Sequence, residues 1–575
     1  MKSLTVFLKG YRLKSVLGPL FKLLEATLEL IVPLVIAALI DNGINAANGA
    51  DKAYVFRSCL ILVALGGVGL LFSVTAQYFA AAASCGFTAR LRSSLFSHIQ
   101  TLSYSDLDHL GTSTLITRMT SDTNQVQTGL NLTLRLLLRS PFVVFGAMIM
   151  AFTIDVPAAV NFAVVIPLLS IVVFGIMLIS MPLYKKVQAH LDSVVSKTRD
   201  NLEGARVVRA FAKEDEEARD FEERNSSLTS MQKLVGAISA LMNPLTFILI
   251  NAAVITLIYT GAIRVEIGDL TQGEVVALYN YMSQILVELV KLANLIISIT
   301  KALASANRIS AVFATESSMI HGNEEFVTVG SGIEFKNVSL CYSGAGEDSL
   351  SEISFTAKRG DTIGIIGATG SGKSTLVNLI PRFYDATSGE ITLNGKLISE
   401  YTKESLRARV SVVPQRALLF SGTIADNLRW GNPNATDDEL NAAIATAQCT
   451  DVVREKGGLD ALIEQGGRNL SGGQRQRLTI ARALVGKPEI LILDDSASAL
   501  DFATDSALRR AIARDTSDAT VFIVSQRASS IMHADKILVL DDGELSAIGT
   551  HEELLKSSDI YREIYETQFG EEAVK

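Results

Sequence analysis

Cysteine is scarce and scattered. Cys59, Cys85, Cys341 and Cys449 stand far apart with no C-x-x-C pair. That leaves no basis for a disulfide framework or a zinc site, and fits a reducing compartment for the second half. Charge is thin as well. Only 19% of the 575 residues are Asp, Glu, Lys or Arg, and a net charge of −8 offers no basic surface for nucleic acid. The first ten residues lack a small-residue cleavage pattern and mix Lys2 and Lys9 with apolar side chains. They read as an amphipathic entry helix and not as a signal peptide.

What is abundant is apolar sequence, unevenly placed. At this length two to four domains are expected. Six long apolar segments cover about residues 16–40, 60–83, 130–153, 158–183, 234–258 and 275–299, and charged, turn-rich sequence follows. Each approaches or exceeds the ~20 residues that cross ~30 Å of hydrocarbon. Pro33, Pro141, Pro167 and Pro244 fall inside them, which membrane helices tolerate when neighbours satisfy the freed carbonyls. Residues 1–310 therefore read as an all-α, six-span membrane domain.

Lysine and arginine set its orientation. The connections after the first, third and fifth segments are short and poor in both. Those after the second and fourth are long and carry Arg90, Arg92 and Arg118, then a run from Lys185 to Arg224. The positive-inside rule puts both termini and the long connections in the cytoplasm, as expected for a multi-pass protein of the cytoplasmic membrane. Those connections keep helical periodicity (Leu91, Leu95, Ile99, Leu102), with breaks near 106–112 and 204–211. They read as helices running on into the cytoplasm, ending in turns suited to docking on a second domain. Polar residues within the spans, such as Glu25, Glu29, Asn161, Tyr281, Glu288 and Lys291, should face the bundle interior or a wet cavity. Glu288 and Lys291 stand three apart on one helix face and can neutralise each other.

Residues 311–332 are polar and aperiodic and read as a linker; an α/β domain then fills 333–575. Its centre is Gly367-Ala368-Thr369-Gly370-Ser371-Gly372-Lys373-Ser374-Thr375, which follows an apolar run, 362–366, and precedes another, 376–380. Strand, glycine loop and helix turn this pattern into a phosphate site. Successive N–H groups and the helix N-terminus meet an anion, Lys373 reaches the β/γ-phosphates, and Ser374 coordinates Mg²⁺. The stretch binds a nucleoside triphosphate. Further motifs follow in order. Tyr342 can stack on a purine, and Gln415 ends an apolar strand with an amide that can reach Mg²⁺. Leu470-Ser471-Gly472-Gly473-Gln474 opens a helix carrying Arg475, Arg477 and Arg482. The buried strand 490–494 ends in Asp494, whose carboxylate suits Mg²⁺. Ser498-Ala499-Leu500-Asp501 comes next, and a last strand ends at Ser525-Gln526.

Tyr342, the glycine loop, Gln415, Ser471–Gln474, Asp494 and the 498–501 loop together resemble the motifs of ABC transporter ATPases. Six spans fused before them resemble an ABC exporter half-transporter. The resemblance covers essentially the whole chain. It implies a P-loop ABC ATPase domain, ATP and Mg²⁺ as ligands, and two chains sandwiching two ATPs. Each ATP then lies between one chain's P-loop and the other's signature, so that Ser471, Gly472, Gly473 and Gln474 touch a nucleotide held mainly by the partner. The breaks near 106–112 and 204–211 match the family's coupling helices in position.

Two residues depart from the family pattern. Asp495 stands where the family has Glu, and Gln526 where it has His. Aspartate is one methylene shorter, so its carboxylate falls about 1–1.5 Å short, a loss on the order of 10²-fold in a step that depends on positioning. Gln526 can hydrogen-bond a γ-phosphate but carries neither proton nor charge. The pair implies a site that binds ATP well and hydrolyses it poorly. It further implies a heterodimer resembling bacterial heterodimeric multidrug exporters, in which this chain's signature completes the partner's competent site. The alternatives are a homodimeric exporter of lipid or drug, and an ATP-gated regulatory membrane protein. Drugs, lipids and peptides all suit a mixed cavity. No peptidase-like segment precedes the spans, which weighs against an exporter that processes its own peptide cargo.

Overall fold

The structure, a computed structural model, describes residues 2–46, 50–326, 332–497 and 499–570. Ser498 thus lies outside the described residues. Contacts divide the chain into two units: Met1–His98 with Ser113–Thr315, and Ile99–Thr112 with Glu316–Lys575. The division does not follow a single cut in the sequence, because the first cytoplasmic turn goes with the second unit.

The first unit is helical. Its elements are α1 (Arg12–Leu39) and α2 (Lys52–Thr101); beyond α3 (Tyr104–Leu110), which goes with the second unit, follow α4 (Thr112–Thr117), α5 (Thr123–Leu136) and α6 (Arg139–Ile154). Then come α7 (Val156–Glu203), α8 (Ala205–Ala210), α9 (Glu214–Ala240), α10 (Met242–Ile267) and α11 (Gln272–Ala314). Among the described residues, six helical stretches are long and apolar enough to cross a membrane: 12–44, 52–101, 112–154, 156–203, 214–267 and 272–314. Pro141 and Pro244 fall at the third positions of α6 and α10, within the first turn, where a missing N–H costs nothing. Pro33 and Pro167 lie inside α1 and α7, which continue past them.

Small buried residues, Ala147, Ala151, Ala158, Ala159 and Ala253, let the helix backbones approach around Phe162, Leu257, Tyr281 and Met282. The second span is different. Val63, Leu70, Leu71 and Val74 of α2 are exposed, an apolar face suited to lipid. The Glu288–Lys291 pair expected from the sequence forms at 2.9 Å, but it is one end of a larger cluster. Arg139, buried on α6, reaches Glu288 at 2.5 Å and Glu29 of α1 at 2.5 Å, and Ser140 donates to Glu288 at 2.8 Å. Three spans are pinned by one guanidinium.

The second unit contains β1 (Ile333–Leu340), β2 (Leu350–Ala357), β3 (Thr362–Gly367), α12 (Lys373–Leu379), β4 (Ser388–Leu393), β5 (Lys396–Leu397) and β6 (Val410–Val413). Next are β7 (Gly422–Thr423), β8 (Leu462–Ile463), β9 (Ile490–Asp494), β10 (Thr520–Val524), β11 (Lys536–Asp541) and β12 (Glu544–Gly549). A six-stranded sheet runs β12-β11-β3-β10-β9-β6, parallel except for its β12 edge, and an antiparallel sheet runs β2-β1-β4-β5. The parallel strands are covered on both faces, which is why they read as unbroken apolar runs such as Ile490–Leu493.

Part of the stretch read as a linker, residues 316–326, is hydrogen-bonded within the second unit. α11 continues to Ala314, and residues 316–326 group with the second unit. Ile320 O accepts from Arg382, Glu324 bridges to Tyr401, and Ser318 N–H donates to Asp106 at 3.0 Å. An aperiodic sequence still has backbone groups to satisfy, and here the neighbouring domain satisfies them.

Candidate nucleotide site

Parallel order places the carboxyl ends of β3, β9 and β10 side by side, where a doubly wound sheet leaves a crevice. The chain leaves β3 at Gly367, where a Cβ would meet Leu540 O at 2.1 Å. It then turns through Gly370 and Gly372 with φ of 90° and 87°. Only glycine adopts those angles without strain. Lys373, at the start of α12, folds back over the loop: its Nζ donates to Gly367 O at 3.0 Å and Ala368 O at 2.5 Å. Burial pulls the ammonium below its usual pKa, while Asp495 and Asp494 oppose that shift. Ser371 is buried beneath the loop.

Ser374 Oγ donates to Asp494 Oδ1 at 2.9 Å, bringing the two metal-ligand candidates together. Asp494 is 8% exposed at the end of β9. Burial pushes its carboxyl above the usual range and the Asp495 charge adds to this, against the Ser374 hydrogen bond and Lys373. Asp495 sits in the left-handed region at φ 45°, its N–H on Val524 O at 3.0 Å. Gln415 Nε2 donates to Asp495 Oδ2 at 3.2 Å. Gln526, exposed just after β10, lines the same space, and its carbonyl accepts from Gln568. The resulting cavity, about 430 Å³, is also lined by Thr369, Gly370, Gly372, Lys373, Ser374 and Thr375. Tyr342 stands beside it with its hydroxyl on Thr375 Oγ1 at 3.2 Å. A cradle of N–H groups with no Cβ, a lysine above it and a hydroxyl–carboxylate pair at its edge fit a triphosphate with Mg²⁺.

The signature residues are not brought to this cavity. Ser471 caps the helix Gly472–Val485, its Oγ accepting from Gln474 N–H at 3.3 Å, and Gln474 Oε1 accepts from Ser471 N–H at 2.9 Å. Ser471 and Gly472 are exposed. The sequence reading missed the opposite rim, where Asp542 and Gly543 turn between β11 and β12 at φ 43° and 82°. The signal was available, since Asp-Gly between two apolar runs marks such a hairpin.

Residues 15–289 match the ABC transporter transmembrane region, and residues 350–498 match the ABC transporter family. The Bacillus subtilis "Uncharacterized ABC transporter ATP-binding protein YfiB" is 37% identical over 575 residues, spanning 100% of this chain and 99% of the relative. A bacterial Atm1-family ABC exporter with ATP bound superposes with a TM-score of 0.81 at 25% identity, covering 97% of this chain and 99% of that one. The chain is an ABC exporter half-transporter. This half-transporter is also 31% identical over 575 residues to the B. subtilis "Probable multidrug resistance ABC transporter ATP-binding/permease protein YheI", covering 99% of the chain and 97% of the relative. It is 30% identical over 540 residues to the ATP-dependent lipid A-core flippase of Pectobacterium atrosepticum, covering 93% and 91%. Its ATPase domain places it among proteins that bind ATP, normally with Mg²⁺, and its kind works as dimers in the membrane.

Proposed function

We propose that this half-transporter serves as one subunit of a heterodimer that exports an amphipathic or drug-like cargo across the cytoplasmic membrane, holding ATP at a weakly hydrolytic site. In this reading Tyr342 stacks on the purine. The loop from Gly367 to Thr375 holds the phosphates, and Ser374, Gln415 and Asp494 hold Mg²⁺, which neutralises charge developing on the phosphates. Ser471–Gln474 complete the partner's site. The observation that supports the reading is that Asp495 and Gln526 both line the cavity. Asp495 is the shorter acid, and its carboxylate already accepts from Gln415. Gln526 brings an amide where a titratable imidazole would shuttle a proton. The named drug-export and lipid-flipping relatives favour a cargo with an apolar body.

A homodimer with Asp495 as a working base is the second reading, favoured by its seat on the cavity wall. The deciding experiment is ATPase activity of the purified chain alone and co-expressed with its partner, each with and without Asp495→Glu plus Gln526→His. Near-zero activity alone and robust activity with partner support the heterodimer. Robust activity alone, unchanged by the double substitution, sinks it.

A further inference from the structure

Within the second unit, an unbroken line of contacts runs from the nucleotide cavity to the first cytoplasmic turn. Thr375, in the glycine loop's helix, accepts from the Tyr342 hydroxyl at 3.2 Å. The Tyr342 ring meets the Tyr384 ring edge-on, 5.1 Å between centroids and 90° between planes. Tyr384 Oη then donates to Asp108 Oδ2, on α3, at 2.7 Å. Asp108 and Tyr104 lie four residues apart, on one face of α3. Tyr104 packs on the Phe383 and Tyr384 rings at 4.6 and 6.2 Å.

The line is stiff at Tyr384 and at its α3 end. Tyr384 follows Arg382, which sits in the left-handed region at φ 53° and is clamped to Asp385 at 2.6 and 3.0 Å. Burial and the Asp108 hydrogen bond hold the Tyr384 phenol well above its usual pKa, so it remains a donor. α3 begins with a Ser103–Asp106 capping box, and Asp106 also accepts from Ser318 N–H. A short helix held at its first turn and gripped at Asp108 moves as one piece.

We infer that Tyr384 is a positioning residue that ties the orientation of the Tyr342 ring, and so the occupancy of the nucleotide cavity, to the first cytoplasmic turn through its hydrogen bond to Asp108. The inference rests on the reading that Tyr342 stacks on the purine. A stacked purine fixes the Tyr342 ring plane. The edge-on contact passes that constraint to Tyr384, and the hydroxyl passes it to α3. The competing account is plain docking, in which Tyr104 seats on Phe383 and the hydroxyl adds nothing.

Hydrogen exchange over residues 103–111, in the full chain reconstituted in nanodiscs with and without Mg-ATP, separates the two. Mg-ATP should slow exchange there in the wild type. Tyr384→Phe, which keeps the ring, and Asp108→Ala should each cut that slowing about fivefold, the weight of one net hydrogen bond. The double variant should be no worse than either single one, and Asp108→Asn, which keeps an acceptor, should restore the response. By reciprocity of the coupling, affinity for a fluorescent ATP analogue should fall by up to about the same fivefold in Asp108→Ala. Unchanged ATP-dependent slowing in both Tyr384→Phe and Asp108→Ala overturns the inference, as does the absence of slowing in the wild type. If Tyr342→Ala leaves the analogue's affinity unchanged, the purine reading fails and takes the inference with it.

Discussion

Asp495 and Gln526 differ from the residues they replace by one methylene and one titratable ring, and both lie on the wall of the same cavity. If position alone limits hydrolysis there, Asp495→Glu with Gln526→His should raise the chain's own turnover by on the order of 10²-fold. A phosphate-release assay on the purified chain checks this, and Asp495→Asn should lower the starting rate little. Asp494 makes a separate prediction about pH. Its folded-state pKa is raised by burial, so the native state binds the proton more tightly than the unfolded chain does. Ionised Asp494 therefore costs stability at neutral pH, and the cost disappears below the unfolded carboxyl value. Asp494→Asn, which keeps an acceptor for Ser374, should raise the melting temperature of the nucleotide-free protein by a few degrees at pH 7 and leave it unchanged at about pH 3, below the unfolded carboxyl value. It should also abolish the extra stabilisation by Mg-ATP. Differential scanning fluorimetry across pH reads both.

Between elements, the Arg139 cluster joins α1, α6 and α11 through a guanidinium whose side chain is 7% exposed and a Glu288 side chain that is 4% exposed. Removing Arg139 leaves the buried Glu288 carboxylate with only the half-exposed Lys291 and the Ser140 hydroxyl, at a cost of up to about 3–5 kcal/mol, whereas removing both Arg139 and Glu288 is milder. Arg139→Leu should therefore lower thermal stability sharply, and Arg139→Leu with Glu288→Leu should recover most of it. Close backbone approach matters as much. A Cβ on Gly129 of α5 would meet the Ala302 Cβ of α11 at 2.1 Å, so Gly129→Val should cost about 1–3 kcal/mol through overpacking. Size-exclusion profiles of the detergent-purified protein after graded heating measure both.

These elements also show why the sequence was readable in some places and not in others. The glycine loop is legible because nine contiguous residues fix both its backbone and its chemistry. The six spans are legible because length and apolarity act locally. Arg139 was passed over because it stands in an apolar segment and its partner Glu288 is 149 residues away. Tyr384 was passed over for the same reason, since Asp108 is 276 residues away. Residues 316–326 lack periodicity, and nothing local reveals that the ATPase domain supplies their hydrogen-bond partners.

At the scale of the assembled transporter, the proposed heterodimer builds each ATP site from two chains, and this half-transporter would offer the two halves unequally. Its own cavity has the short acid and the glutamine, while its signature, Ser471 to Gln474, is intact and well capped, with Ser471 and Gly472 exposed. In a heterodimer of the proposed kind, damage to the two should have opposite weight. Ser471→Arg, placing bulk and charge where the partner's γ-phosphate must dock, should lower ATPase activity of the complex by at least about 10²-fold, a loss of the order expected when one oriented contact to a transition state is removed. Asp495→Asn should change it less than twofold. A homodimer predicts otherwise, because every site then contains both residues, and both substitutions silence it together. Binding of a fluorescent ATP analogue to the chain alone should be indifferent to Ser471→Arg, since the capping Ser471 lies outside the cavity that its own P-loop builds. Equal loss of activity from the two substitutions would assign catalysis to Asp495 and make the chain its own partner.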